Sequence, residues 1–551
     1  MKDNAHCSHG PSAGIPGGLA RNHARDMLVS PVRSLALLIC GICAAAPPAV
    51  LDRDAFRHYV EEFNAVPTPD VASFVPDSQS WEWLKEKIPF LSCPDPDVER
   101  TWYYRWWAFR KHIRKTPDGF ILTEFLRPVK HATDHNAISC ALGHHIAEGR
   151  WLRDPRYIDS YLDFWLRPAS GGLHRHYHQF SNWTAAAVYE RYLAGGRKQA
   201  MLDLFEALVL DYETWEKERL LDSGLFWQHD VRDGMEESIS GGRKAKNARP
   251  SINSYMYGNA WAIARMAQLA GRPDTARRFD AKAAALKRLV EKELWNPDRK
   301  FFETRLESGG LANVREAIGF TPWMFGLPSK GRGFEQSWKQ LMDPEGFFAP
   351  FGPTTAERRH PGFAIAESGD DCQWNGPSWP FATTITLKAL ANLLQQGPQR
   401  AITIDDYFKT FVIYARSHRL VLPDGRRIAF VDENLNPLTG AWHARSRKIT
   451  KNTFYGRGDH YNHSSFADLL ITGLAGLRPR ADSTVELHPL IPAGAWDWFC
   501  LEGVPYHGHA LTILWDRTGS KFKRGAGLRL FVDGRLAAHS NRLGPLRAKL
   551  P

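Results

Sequence analysis

Cysteine is scarce in this chain, with 7 in 551 residues, and the four beyond residue 46 form no Cys-x-x-Cys pair or zinc spacing. That excludes a disulfide-dense scaffold and a zinc-finger or ribbon module. Runs of one charge are also missing: the net charge is +11, yet no stretch of five Lys or Arg appears. A nucleic-acid partner is therefore not expected. No apolar run reaches the ~18 residues that a membrane span needs. The longest, residues 34–46, follows Arg33 and closes on small residues, which reads as a secretory leader. Its polar preamble is long, so translation is read as starting at Met27, with cleavage near Ala46. The expected location is secreted or periplasmic, with no membrane span after cleavage. Cys93, Cys140, Cys372 and Cys500 then remain, and a disulfide among them stays open. No short repeat announces a solenoid. His174, His176, His178, Asp459, His460 and His463 lack the Cys company or helical His spacing of a metal site, so they read as substrate contacts rather than metal ligands, and no metal or organic cofactor is expected. The sequon at Asn182 lies in an apolar helical stretch and reads as chance.

What the chain has in surplus is tryptophan. With 20 Trp and 12% aromatic residues, it carries more flat apolar surface than packing requires, which favours a carbohydrate-type partner. The densest stretch is residues 367–381. Trp374 and Trp379 offer ring platforms there, and Glu367, Asp370, Asp371, Gln373 and Asn375 offer directional partners for hydroxyls. The plain alternative is a proline-rich loop with packed tryptophans. Pro377 is expected in the first turn of the helix that follows.

Helical periodicity then dominates. Segments 97–114, 136–148, 155–165, 183–193, 198–219, 254–269, 274–294, 333–342, 377–394, 405–416 and 464–474 make about eleven helices by apolar spacing. Antiparallel pairs in that number fit a mainly α fold, the (α/α)6 toroid of six hairpins, although periodicity cannot prove that the ring closes. From residue 483 the texture changes to short strands, 484–487, 498–501, 510–515 and 528–532, the last followed by the hairpin signal Asp533-Gly534. The expected division is a leader at 1–46, a lead-in at 47–96, a catalytic toroid at 97–480, and a small antiparallel β-module with a solvated basic tail at 481–551.

Three separated motifs carry a resemblance. Residues 232–241 read Arg-Asp-Gly-Met-Glu-Glu-Ser-Ile-Ser-Gly, residues 374–380 read W-x-G-P-x-W-P, and residues 432–440 read Asp-Glu-Asn-Leu-Asn-Pro-Leu-Thr-Gly. In this order they resemble the inverting six-hairpin glycosidases of the trehalase, family 63 glucosidase and mannosylglycerate hydrolase-like (MGH1-like) group. The resemblance implies that Glu236 is the general acid and Glu433 the general base. Glu236 stands where the group usually has Asp, and Leu435 where it usually has an aromatic residue. Asp233 is the alternative acid if the first motif is shifted. Asn253, Tyr255 and His460 are candidate substrate contacts, with helix capping by Ser251 as the plain reading of the first two.

The chemistry asks for the same pair. Inversion needs one protonated carboxyl to donate to the leaving oxygen and one carboxylate to activate water opposite it, ~6.5–9.5 Å apart. Residues 236 and 433 can meet only if the chain returns on itself. The expected function is a glycoside hydrolase that releases a terminal, α-linked sugar from an oligosaccharide or glycoside. The alternatives are a phosphorylase on the same toroid and a non-catalytic carbohydrate-binding protein.

Overall fold

Proline decides where the long helices begin. Pro96, Pro250, Pro273 and Pro380 each sit in the first turn of helices Pro96–Lys111, Pro250–Leu269, Pro273–Leu289 and Pro380–Leu394, where a missing N–H costs nothing. The helix after the tryptophan turn thus starts at Pro380, with Trp379 as its N-cap, rather than at Pro377. The computed structural model describes residues 49–66, 73–365, 372–422, 424–443 and 458–551. The leader at 34–46 and the candidates Glu367, Asp370 and Asp371 lie outside the described residues.

Six inner elements form a closed ring. Helix Leu142–Gly149 packs on Thr184–Gly195, which packs on Pro250–Leu269, then Thr321–Met324, then Pro380–Leu394, then Ala467–Leu469, which returns to Leu142–Gly149. An inner element must be apolar nearly all round. Helix Pro380–Leu394 accordingly buries 13 of its 15 residues, whereas the outer helix Phe205–Arg219, also of 15, buries 5. Outer helices Arg156–Leu166, Pro273–Leu289, Ile404–Ser417 and Pro96–Lys111 back the ring.

Polar groups fasten the closing seam. The buried Glu148 carboxylate accepts N–H bonds from Phe466, Ala467 and Asp468 at 3.1, 3.0 and 3.0 Å, satisfying the orphan donors of that short helix. Asp468 in turn holds Arg150 at 2.6 Å and Lys388 at 3.2 Å.

The β-module is a five-stranded antiparallel sheet and a separate strand pair. Strands Trp498–Tyr506, His509–Asp516, Gly527–Val532 and Arg535–Ser540 run in sequence order. Asp533 and Gly534 both have positive φ, 48° and 75°, as a two-residue hairpin turn requires. The edge beside Trp498–Tyr506 is filled by Phe90–Ser92, so the lead-in completes the C-terminal sheet. The basic end is not a loose tail: Leu546–Lys549 pairs with Thr484–Leu487, and Arg547 bonds Glu486 at 2.6 Å. No disulfide joins Cys93, Cys140, Cys372 and Cys500. Among the described residues, no helix is long and apolar enough to cross a membrane, and no cluster of His, Cys, Asp or Glu could hold a metal ion.

Candidate active site

The three sequence motifs are laced together through their backbones. Trp374 N–H donates to the Glu236 carbonyl at 3.1 Å, and Ser378 and Leu435 exchange two backbone bonds of 3.0 and 2.9 Å. Glu236 is presented on a tight turn between Gly234 (φ 71°) and Glu237 (φ 59°). A β-carbon at Gly234 would lie 2.6 Å from Cys140 Sγ, so glycine lets the turn sit against the ring. Glu433 is held from behind: its N–H donates to Asp432 Oδ1 at 2.7 Å, and the Cys372 thiol faces Glu433 Oε2 at 3.7 Å. Gly458 closes over this pair, and a β-carbon there would overlap the Asp432 carboxylate.

Glu236 and Glu433 line one cavity of about 390 Å³, together with Trp379, Glu124, Tyr461 and His463. Burial pushes Glu236 up to about 7, and the negative charges of Glu433 and Asp230 add to that rise. A carboxyl at that level is protonated over much of the neutral range, which is what proton donation to a leaving oxygen requires. Arg232 and Arg243 also reach the wall.

The other candidates divide. Trp379 is on the wall, and Trp374 stacks behind it with centroids 4.6 Å apart and planes 20° apart. Trp374 and Gln373 are buried and, with Asn375, are not among the cavity-lining residues. Gln373 instead gives its carbonyl to the Trp379 indole N–H at 2.6 Å, and Asn375 gives its carbonyl to Ala364 N–H at 3.0 Å. Asp233 turns away into a buried ion pair with Arg249 at 2.9 Å, and Ser251 donates to the same oxygen. Ser251 is thus spent on Asp233 rather than on a helix cap. Asn253 is consumed by backbone bonds to Phe226 and Arg249. Tyr255 is packed between Trp183 and Phe325. His460 meets Tyr104 Oη at 2.7 Å, away from the wall. His174 and His178 bond Asp134 and Asp211. The sequon asparagine, Asn182, is buried and accepts from Thr184 Oγ1 at 2.7 Å, which braces the entry to its helix.

Sequence reasoning missed Glu124 and gave Tyr461 no role. Glu124 follows strand Gly119–Leu122 in a stretch with no turn or motif signal. Tyr461 and His463 belong to the polar segment 454–465, whose density of Tyr, His, Asp and Asn was the available sign. Backbone bonds from Asn462 N–H to the Glu124 carbonyl (3.1 Å) and from Tyr461 N–H to the Val431 carbonyl (3.2 Å) bring these segments beside Glu433.

Comparison with known proteins bears on the fold and the family. A solved structure named "Sialidase" superposes with a TM-score of 0.85 at 46% identity over 90% of this chain, which spans 45% of the length of that relative. Two further structures share the fold alone: the family 78 rhamnosidase of Bacillus sp. GL1 (TM-score 0.51, 13% identity, 81% of this chain and 41% of that one) and the α-L-rhamnosidase from Dictyoglumus thermophilum (0.50, 12%, 83% and 45%). Residues 477–539 match the C-terminal domain of glycosyl hydrolase family 65. Residues 134–464, more than half of the chain, match the model of the mannosylglycerate hydrolase MGH1-like glycoside hydrolase domain. The chain belongs to that family of glycoside hydrolases.

Proposed function

We propose that the protein is an inverting glycoside hydrolase that removes one terminal sugar, with Glu236 as general acid and Glu433 as general base. The observation that carries this reading is that two carboxyls face one cavity and that burial raises one of them, Glu236. Glu236 is pushed up to about 7, and Glu433, 197 positions on, faces the same space. Trp379 supplies the platform for the ring. One protonated and one ionised carboxyl are the reagents for displacement by water. No cofactor has a part in it.

A second reading has one feature in its favour. Arg232 and Arg243 on the cavity wall are the kind of cations that hold phosphate, so phosphorolysis is the rival reaction. A panel of aryl and natural glycosides, sialosides among them because of the relative's name, assayed with and without phosphate, separates the two. Turnover that needs no phosphate supports hydrolysis. Turnover only with phosphate, yielding a sugar phosphate, would replace it. Export remains part of the proposal: N-terminal sequencing of exported protein should find residues 34–46 removed, and their retention would overturn it.

A further inference from the structure

We propose that Glu124, Tyr461 and His463 form a hydroxyl-recognition site on the cavity wall, in which a bare Nε2 of His463 accepts a hydrogen bond from one hydroxyl of the bound sugar. The proposal deepens the glycosidase reading and rests on it. It follows from counting protons in a buried cluster that borders the cavity.

Tyr461 Oη lies 2.6 Å from Glu124 Oε1 and also contacts His463 Nδ1, while His463 Nδ1 is 3.1 Å from the same Glu124 oxygen. A tyrosine has one proton to give. Burial, followed by the charges of Glu124 and Glu433, pushes the Tyr461 phenol well up, so it keeps that proton. Burial, with His144 and His145 nearby, pushes His463 well down, so its ring is neutral and carries one N–H. Were Nδ1 the bare nitrogen, its lone pair would face a carboxylate oxygen at 3.1 Å with no proton between them. The consistent arrangement has Tyr461 donating to Glu124, and His463 Nδ1–H donating to Tyr461 Oη and Glu124. Nε2 is then the lone pair.

Among the described residues that buried nitrogen has no hydrogen-bond partner, and His463, only 4% exposed, lines the cavity with Glu236 and Glu433. Phe381 packs edge-on against the ring, with centroids 4.7 Å apart and planes at 72°, which opposes a flip. A buried acceptor without a donor is costly, and a sugar hydroxyl is the group that relieves it. A carbonyl or carboxylate at that position would meet lone pair with lone pair. His463 is therefore the specificity-determining contact, and Tyr461 and Glu124 are positioning residues that fix its tautomer.

Two measurements test this. In protein labelled with ¹⁵N-histidine, long-range ¹⁵N–¹H correlations identify the tautomer of each ring, and His463→Leu identifies which signal is lost. The expected result is the Nδ1–H form, moving toward a mixture in Tyr461→Phe. An Nε2–H tautomer or an imidazolium at neutral pH in the unmutated protein would overturn the proposal, and this arm needs no substrate and no folded variant other than the assignment control. The second arm uses the glycoside turned over fastest in the panel and its singly deoxygenated analogues. One analogue should lose about 10- to 100-fold in kcat/KM with the unmutated enzyme, and His463→Leu should narrow that gap to about threefold or less. If every analogue keeps its full penalty in His463→Leu, the hydroxyl contact is elsewhere. If no glycoside is hydrolysed at all, the reaction reading fails, while the tautomer still decides whether the site is built as described.

Discussion

Removing the charge from Glu236 should make the protein more stable above neutral pH. Burial raises this carboxyl from an ordinary 4.5 to about 7. The sign follows from linkage: the folded state holds the proton more tightly than the unfolded state, so the contribution is fully present below 4.5 and is lost as pH rises through 7. A rise of that size corresponds to about 3 kcal/mol between the two limits. Glu236→Gln is neutral at every pH and escapes the loss. For a folded unit of about 500 residues, unfolding entropy at ~2 cal/mol/K per residue turns about 3 kcal/mol into a shift of about 3 °C. Scanning calorimetry of both proteins across the range is the assay. Near pH 5 the two melting temperatures should lie within about 1 °C of each other, and near pH 8.5 the variant should melt about 3 °C higher. A difference that stays constant across the range would refute the claim that Glu236 is held protonated by burial.

Three further outcomes follow. Glu433→Gln keeps the shape and removes the base, so kcat should fall about 10²–10⁴-fold with KM little changed, by steady-state kinetics on the natural substrate. Gly458→Ala places a methyl group into the Asp432 carboxylate and should displace Glu433, lowering kcat by about 10²-fold while circular dichroism shows a folded protein. Asp468→Asn leaves Glu190 as the one acidic partner for both Arg150 and Lys388 among the described residues and should cost about 3 kcal/mol in denaturant unfolding, because two buried cations then share one carboxylate.

The turns that carry Glu236 and Glu433 were legible because each has its own local cause: glycine beside Glu236, and an Asn-Pro-Leu-Thr-Gly turn after Glu433. Five of the six inner elements were legible for the same reason, since their apolar faces are written into consecutive residues, whereas Thr321–Met324, a single turn of four residues, is too short to show a period. Ring closure was not, because it depends on Glu148 capturing backbone N–H groups more than 300 positions away. Glu124 was silent for a related reason: its partners, Tyr461 and His463, are distant in sequence and its own neighbours form no motif. Asn253 and Tyr255 looked like pocket residues because amides and phenols suit sugars, but Asn253 is tied to backbone and Tyr255 is packed among rings. The basic end read as solvent-exposed from charge alone, yet its alternating side chains let Leu546–Lys549 pair as a strand.

The most direct test of the central claim is ¹H NMR of the first-formed product, recorded before mutarotation equilibrates the released sugar. Direct displacement by a water activated at Glu433 and assisted by Glu236 predicts that the sugar appears first with the anomeric configuration opposite to that of the substrate. First appearance of the retained anomer would contradict the account, because it would require a covalent intermediate and a nucleophile in place of a general base.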